Sequence, residues 1–203
     1  MKTLRTLLSA AGLSMAMPAV AANPVIEAPA GTVEGKTVGK VDVFKGIPFA
    51  QPPVGPLRWK APQPFPVWAG MRKAQAFGAA CIQPRPTAIG IYTNPPAKMS
   101  EDCLTLNIWA PAKAKDAPVI VWIHGGALLS GYSHEAMYDG AKLAGRGAII
   151  VSINYRLGAL GYLAHPALSA ESPDGVSGNY GLLDQIAALE WVKANIGAFG
   201  GDA

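Results

Sequence analysis

The sequence predicts an α/β fold in which small antiparallel strands lead into a mostly parallel central sheet with helices on each side. From Asn23 to about Pro96 the chain is rich in Pro and Gly, and short alternating apolar stretches such as 32–38 are typical of small antiparallel strands. Two later runs, 119–123 and 148–153, are almost entirely apolar and rich in β-branched residues. Strands that are buried on both faces have this composition, and they belong to sheets that are covered by helices.

A helix is predicted after these strands. Asn179 has the side chain of an N-cap residue, and Gly197 can adopt the left-handed conformation that ends many helices. Gln185 and Glu190 are expected on the side that faces water. The residues predicted to face the core recur at helical spacing, and they are Leu182, Leu183, Ile186, Leu189, Val192 and Ile196. The order of strand, connection, strand and helix is that of an α/β fold.

The first 21 residues have the pattern of a secretory signal peptide. Lys2 and Arg5 precede an apolar run, which is followed by Pro18 and the small residues of 19–21. We expect cleavage near Ala21 and a secreted or periplasmic protein, with 22–203 belonging to a single domain. The alternative is an uncleaved anchor, but a spanning helix needs about 20 apolar residues, so no stable membrane anchor is expected.

Composition and charge exclude several classes of function. Of the 203 residues 50% are hydrophobic and 15% are charged, which is enough apolar sequence for a sizeable core. Lys2 and Arg5 lie in the predicted signal, so 15 of the 17 basic residues remain against 13 acidic ones, a net charge of +2. These basic residues are scattered, and no nucleic-acid partner is expected. The sequence has neither metal-ligand spacing nor a nucleotide-binding motif, so no metal and no cofactor are expected.

Cys81 and Cys103 are the two cysteines of the chain. In an oxidising compartment they are expected to form a disulfide. Two separate buried thiols are the alternative.

The residues that indicate chemistry lie at 121–127, where an apolar strand runs directly into a His-Gly-Gly turn. Glycine allows a sharp turn that directs consecutive N–H groups toward one point, as in the oxyanion holes of lipases and esterases. An ordinary turn at the end of a strand is the alternative. His124 is interpreted as a local hydrogen-bonding residue and not as a base or a ligand.

Five blocks of sequence resemble, in the same order, those of the type B carboxylesterase family. They are 44–59, 101–111, 154–161, 178–185 and 199–202, and the second contains the Cys-bearing motif Glu101-Asp102-Cys103-Leu104. The resemblance covers essentially all of 22–203. It implies an α/β-hydrolase fold and the hydrolysis of a small-molecule carboxylic ester through an acyl-enzyme.

The resemblance also implies roles for particular residues. Gly126 and Ala127 fall where the family has its first two oxyanion-hole N–H donors, and Gly125 opens the turn. The family's first disulfide is matched by Cys81 and Cys103.

Two structural ion pairs are implied in the same way. They join Arg58 to Glu101 and Arg156 to Asp184. A buried charge needs a partner, so all four residues are assigned to structure and not to catalysis.

The family's nucleophile lies in a Gly-x-Ser-x-Gly elbow, which the 203 residues do not contain. The nearest stretch, 175–179, ends in Asn, and its Ser177 is interpreted as a residue at the start of a helix. His134 and His165 precede the expected elbow, whereas in this fold the acid and the histidine follow the serine. All three members of the triad are therefore expected after Ala203, and the 203-residue chain by itself is expected to be inactive.

Two other interpretations are open. Some members of the family keep the fold without the serine, so a non-catalytic binding or adhesion protein is the alternative. A cholinesterase-like specificity is disfavoured, because Thr93 lies at about the place where cholinesterases carry a cation-binding Trp.

Overall fold

The computed structural model describes residues 22–85, 90 and 94–203. The predicted signal peptide and Thr93 lie outside the described residues. In chain order the strands are β1 (Val25–Ala28), β2 (Gly31–Glu34), β3 (Lys36–Val38), β4 (Val41–Pro48), β5 (Met71–Lys73), β6 (Thr105–Pro111), β7 (Val119–Ile123) and β8 (Ile149–Ile153). The α-helices are α1 (Ala141–Ala144), α2 (Gly158–Tyr162), α3 (Pro166–Glu171) and α4 (Tyr180–Asn195), and short 3-10 helices span Gly55–Leu57, Ala136–Tyr138 and Ile196–Phe199.

The strands form two sheets. A three-stranded sheet has the order β1-β2-β5, in which β1 pairs antiparallel with β2. A five-stranded sheet has the order β3-β4-β6-β8-β7. Its strands pair antiparallel as far as β8, and β8 pairs in parallel with β7. The small antiparallel strands that the sequence predicts are confirmed, although β2 also pairs in parallel with β5. Of the larger sheet, which was expected to be mostly parallel, the described residues contain three antiparallel pairings and the parallel pair of β7 with β8.

The core lies along β4, β6 and β8. Ile47, Leu106, Ile108 and Ile153 are all 0% exposed. β8 is buried over its whole length, as predicted. The prediction of a strand buried on both faces is wrong for β7, in which Ile120 is 48% exposed. The reason is position, because within the described residues β7 pairs only with β8 and forms the edge of the sheet.

A buried polar network ties the middle of the sheet to the loop that follows β7. The pairing of β4 with β6 shifts register after Phe44, and there the Gly46 N–H donates to Oδ1 of Asn107 at 3.0 Å. The Asn107 amide group donates to the hydroxyls of Ser133 and Ser152, each at 3.1 Å. Since buried polar groups are tolerated when they are paired, this network fixes the loop at Ser133 against β6 and β8.

Helix α4 turns a different face to the core from the one predicted. Leu182, Leu183, Ile186 and Leu189 are 37% to 48% exposed, and only Val192 and Ile196 of the predicted set are buried. The buried residues of the helix are instead Tyr180, Gly181, Asp184, Ala188, Trp191, Val192 and Asn195. Asp184 lies on this buried face, where it pairs with Arg156.

The ends of α4 also differ in detail from the prediction. Asn179 is the N-cap residue, but its backbone is left-handed, with a φ of 58°, and its side chain makes no capping bond. After Asn195 the chain continues as the 3-10 helix Ile196–Phe199, so the left-handed residue is Gly200 and not Gly197.

The structure joins Cys81 and Cys103 in a disulfide, with their Cα atoms 5.1 Å apart. Both residues are buried, at 3% and 1% exposure. The bond links the chain just before Gln83 to the segment that leads into β6. A crosslink of this loop length stabilises a fold by about 3 kcal/mol on the chain-entropy account.

The buried ion pair anchors α4 to the segment after β8. Arg156 donates to the Asp184 carboxylate from its backbone N at 3.0 Å, from Nε at 2.8 Å and from Nη2 at 2.7 Å. The two side chains are 3% and 0% exposed. By contrast, Arg58 and Glu101 form a two-bond pair at 2.5 and 2.7 Å with side chains that are 38% and 25% exposed.

The two ion pairs are expected to differ in what their loss costs. Asp184→Asn leaves the Arg156 charge buried without its counter-charge and should lower the free energy of unfolding by about 3–5 kcal/mol. Glu101→Gln leaves Arg58 in contact with solvent and should cost about 1 kcal/mol or less. Urea unfolding of both variants measures the difference, and equal losses would contradict the assignment of Asp184 as the anchor of α4.

Candidate oxyanion-binding site

The turn that follows β7 has an unusual backbone. Gly126, Ala127 and Leu128 have φ values of 122°, 52° and 62°, so three consecutive residues are in the positive region. L-residues rarely adopt this region, and such residues concentrate at functional sites. Only glycine fits at the first of them, because a Cβ on Gly126 would overlap the carbonyl oxygen of Ser130.

Hydrogen bonding within the turn leaves the two expected donors unused. The N–H groups of Leu129 and Ser130 both donate to the Gly126 carbonyl, at 3.0 and 3.1 Å. Among the described residues, none accepts a hydrogen bond from the N–H of Gly126 or Ala127. These two N–H groups are therefore available to an acceptor from outside this part of the chain.

A cavity of about 430 Å³ opens beside the turn. Gly125 and Gly126 line it, whereas Ala127 is not among its described lining residues. The other lining residues belong to the segment after Cys81 and to the loop after the turn. They are Gln83, Pro84, Arg85, Asn94, Leu129, Ser130, Gly131, Tyr132, Glu135 and Tyr138.

The buried His124 side chain packs beneath the backbone of the turn and forms a hydrogen bond with it. It is 3% exposed, and its ring stacks on that of Tyr155 with centroids 4.5 Å apart. Its Nδ1 lies 2.9 Å from the Gly125 carbonyl, which can only accept, so Nδ1 carries the proton in this contact. The Tyr155 hydroxyl donates to the His124 carbonyl at 2.9 Å. Burial lowers the pKa of His124, so a neutral ring braces the backbone.

Two further braces were not anticipated from the sequence. Gln83 donates to the Gly131 carbonyl and accepts from the Gly131 N–H, both at 2.8 Å. Asn154 accepts from the Ser133 N–H at 2.8 Å. Polar residues two positions after a cysteine and directly after a buried strand were the available signals, but neither spacing identifies a partner.

The other candidate residues lie away from the turn. The Ser177 hydroxyl accepts from the His165 N–H at 3.0 Å and lies 2.7 Å from the hydroxyl of Ser169. It thus connects α3 to the loop before α4.

In the described part of the chain no three His, Cys, Asp or Glu residues are grouped so that they could hold a metal ion. Nor does any helix found there combine the length and the apolar composition needed to cross a membrane.

Solved structures of esterases have the fold described above. One PNB esterase structure matches with a TM-score of 0.80 and 45% identity, over 89% of this chain and 36% of that chain. A Geobacillus stearothermophilus carboxylesterase matches with a TM-score of 0.76 and 44% identity, over 88% and 36%. The fold and its strand-end turn thus define the chain as an α/β-hydrolase.

The profile of the carboxylesterase family matches residues 22–203. The chain belongs to that family, and the resemblance found in the five sequence blocks is confirmed.

Curated relatives agree with this assignment. The fumonisin B1 esterase of Sphingopyxis macrogoltabida is 51% identical over 174 residues, which are 85% of this chain and 32% of that protein. The para-nitrobenzyl esterase of Bacillus subtilis is 49% identical over 85% of this chain and 35% of its own length. The cholinesterase of Mus musculus is 44% identical over 88% and 30%. The chain spans about a third of the length of these relatives.

His134 belongs to an aromatic stack next to the site. Its ring lies against that of Phe77, with centroids 4.9 Å apart, and Tyr132 contacts it edge-on at 4.7 Å. The Lys45 ammonium lies over the same Phe77 ring, 4.2 Å from its centroid. Burial is the main cause that lowers the pKa of His134 to about 4, and the positive charge of Lys45 acts in the same direction.

This pKa predicts a loss of stability in acid. The unfolded chain takes up the proton near the ordinary histidine pKa, whereas the folded chain does so near pH 4. The contribution is therefore present above the unfolded pKa and is lost as the pH falls toward the folded one, by about 2 kcal/mol between pH 7 and 4.5. His134→Gln should reduce this difference by that amount in urea unfolding at the two pH values. An unchanged difference would contradict the lowered pKa.

Proposed function

We propose that this chain provides the oxyanion-binding turn and the first part of the central sheet of a carboxylic-ester hydrolase that works through an acyl-enzyme. Family membership supports ester hydrolysis, and relatives named as esterases of fumonisin B1 and of para-nitrobenzyl substrates act on small-molecule esters. The observation that carries the proposal is the run of positive φ values at 126–128 beside a cavity, with the N–H groups of Gly126 and Ala127 left unbonded by the described residues.

The chemistry follows from where negative charge develops. A serine hydroxyl attacks the ester carbonyl while a histidine takes its proton, and the carbonyl oxygen becomes an oxyanion. N–H groups of Gly126 and Ala127 donate to that oxygen, and backbone donors fixed before the reaction need no reorganisation. The histidine then returns the proton to the departing alcohol, and water releases the acid by the same sequence of steps. The serine, the acid and the histidine are proposed to follow Ala203.

The first test is turnover. The 203-residue chain should release no p-nitrophenol from p-nitrophenyl butyrate above the uncatalysed rate, because backbone donors cannot replace a nucleophile. A longer product of the same reading frame, with a Gly-x-Ser-x-Gly elbow, should hydrolyse it. A burst from the 203-residue chain would show that its nucleophile lies within it. A folded longer product without an elbow serine and without turnover would favour the binding protein.

The second test compares two glycines in the longer product, one in the turn and one outside it. Gly126→Ala places a Cβ against the Ser130 carbonyl at a φ of 122° and must shift the turn. Losing an oxyanion donor costs about 100-fold or more in kcat, and a loss of that size is expected. Gly197→Ala, in the 3-10 helix Ile196–Phe199, is the control, because a Cβ there meets nothing within 4 Å and Gly197 does not line the cavity. Equal effects of the two substitutions on kcat would count against the turn as the oxyanion site.

We further propose that residues 1–21 are a secretory signal, which makes the mature protein secreted or periplasmic. The charged start, the apolar run and the small residues before Ala22 support this. Expression with this segment in a bacterial host should give extracytoplasmic protein whose N-terminus lies near Ala22. An intact N-terminal Met1 on the exported protein, found by mass spectrometry, would contradict cleavage.

A further inference from the structure

One acidic side chain in the wall of the cavity has no role in the site described so far. Glu135 directly precedes the 3-10 helix Ala136–Tyr138, and it lines the same cavity as Gly125 and Gly126. The residue is only 7% exposed. Acidic residues are seldom buried to this degree unless they are paired.

Within the part of the chain that the structure describes, Glu135 has no such pair. Its backbone carbonyl accepts from the Tyr138 N–H at 2.8 Å, but its side chain makes no capping bond. Among the described residues none forms an ion pair with its carboxylate or donates a hydrogen bond to it. Burial raises the pKa of Glu135, and no described charge offsets that effect.

The surroundings of Glu135 favour a ligand that donates hydrogen bonds and is positively charged. The Tyr132 hydroxyl already donates to the Asn94 carbonyl at 3.2 Å, so its remaining capacity is to accept. Burial and the negative charge of Glu135 raise the pKa of Tyr132, so the two groups lie within electrostatic reach. Arg85 also lines the cavity but forms no ion pair with Glu135.

These features match a primary ammonium group better than a metal ion. An ammonium is a compact charge with three donors, which a carboxylate and a phenolic oxygen can accept. A metal ion would require several such ligands, and the described residues contain no group of three His, Cys, Asp or Glu. A cavity of about 430 Å³ is within the usual size of a small-ligand site.

We propose that Glu135 is a specificity-determining residue that binds the protonated primary amine of an amine-bearing ester. Gly126 lines the same cavity, so the ester and the amine of one molecule are proposed to occupy it together. This inference rests on the proposed function for the ester, but ammonium binding by Glu135 does not require ester hydrolysis.

The experiment uses pentylammonium chloride as the probe and 1-pentanol as its uncharged counterpart. Calorimetric titration of the 203-residue chain should show tighter binding of pentylammonium than of 1-pentanol. Glu135→Gln should weaken pentylammonium binding by about tenfold, which is typical of losing a hydrogen bond to a charged group, and should leave 1-pentanol unchanged. Glu27→Gln makes the same chemical change at an exposed residue of β1 and should behave like the unsubstituted protein.

The outcomes separate the two proposals. Equal binding of the two probes, or a preference that survives Glu135→Gln, overturns the role of Glu135. In the longer product, pentylammonium should competitively inhibit the hydrolysis of p-nitrophenyl butyrate. If no protein hydrolyses that ester while the binding preference holds, the hydrolase function fails and the ammonium site stands.

A measurement on the unsubstituted protein tests the proposal even if Glu135→Gln does not fold. With glutamate labelled by ¹³C at the carboxyl carbon, pentylammonium should shift the signal of one buried carboxylate and 1-pentanol should not. Equal responses to the two probes would overturn the proposal in the same way.

Discussion

Three consecutive residues directly after β8 make side-chain hydrogen bonds to the disulfide region, to the turn after β7 and to helix α4. Asn154 accepts from the Ser133 N–H and donates to two backbone carbonyls, those of Ala79 and Cys103. Tyr155 bonds the His124 carbonyl under the turn, and Arg156 binds Asp184 of α4. The segment that follows the fully buried strand β8 thus contacts the disulfide region, the turn after β7 and helix α4. Because these buried polar groups are paired, the contacts are specific.

The parts of the fold that were predictable are the short antiparallel strands and the fully buried strand β8. The alternation before residue 96 and the apolar run of β8 each read correctly, because burial follows directly from composition there. Helix α4 did not, since its leucines suggested one face and the structure buries another, which carries Asp184. Family resemblance implied the pairing of Asp184 with Arg156, but apolar spacing alone did not place Asp184 on the buried face.

The candidate site was predictable in its backbone and not in its walls. A His-Gly-Gly-Ala sequence after a strand indicates a sharp turn, which the structure contains, and family resemblance implies that Gly126 and Ala127 are its donors. Gln83 and Glu135 carry no comparable signal, because a lone polar residue in a loop is usually solvated. Their roles depend on which segments meet in space, and the disulfide before Gln83 helps to bring those segments together.

The turn after β7 also separates two demands on the protein. Its proposed donors belong to the main chain, and every amino acid except proline carries an N–H. The side chains of Leu128 and Leu129 are 45% and 58% exposed. Substitutions at these two positions that tolerate the backbone of the turn can therefore reshape the neighbouring surface over evolutionary time without removing the proposed donors. Gly126 cannot change in the same way, because at a φ of 122° a Cβ would overlap the Ser130 carbonyl.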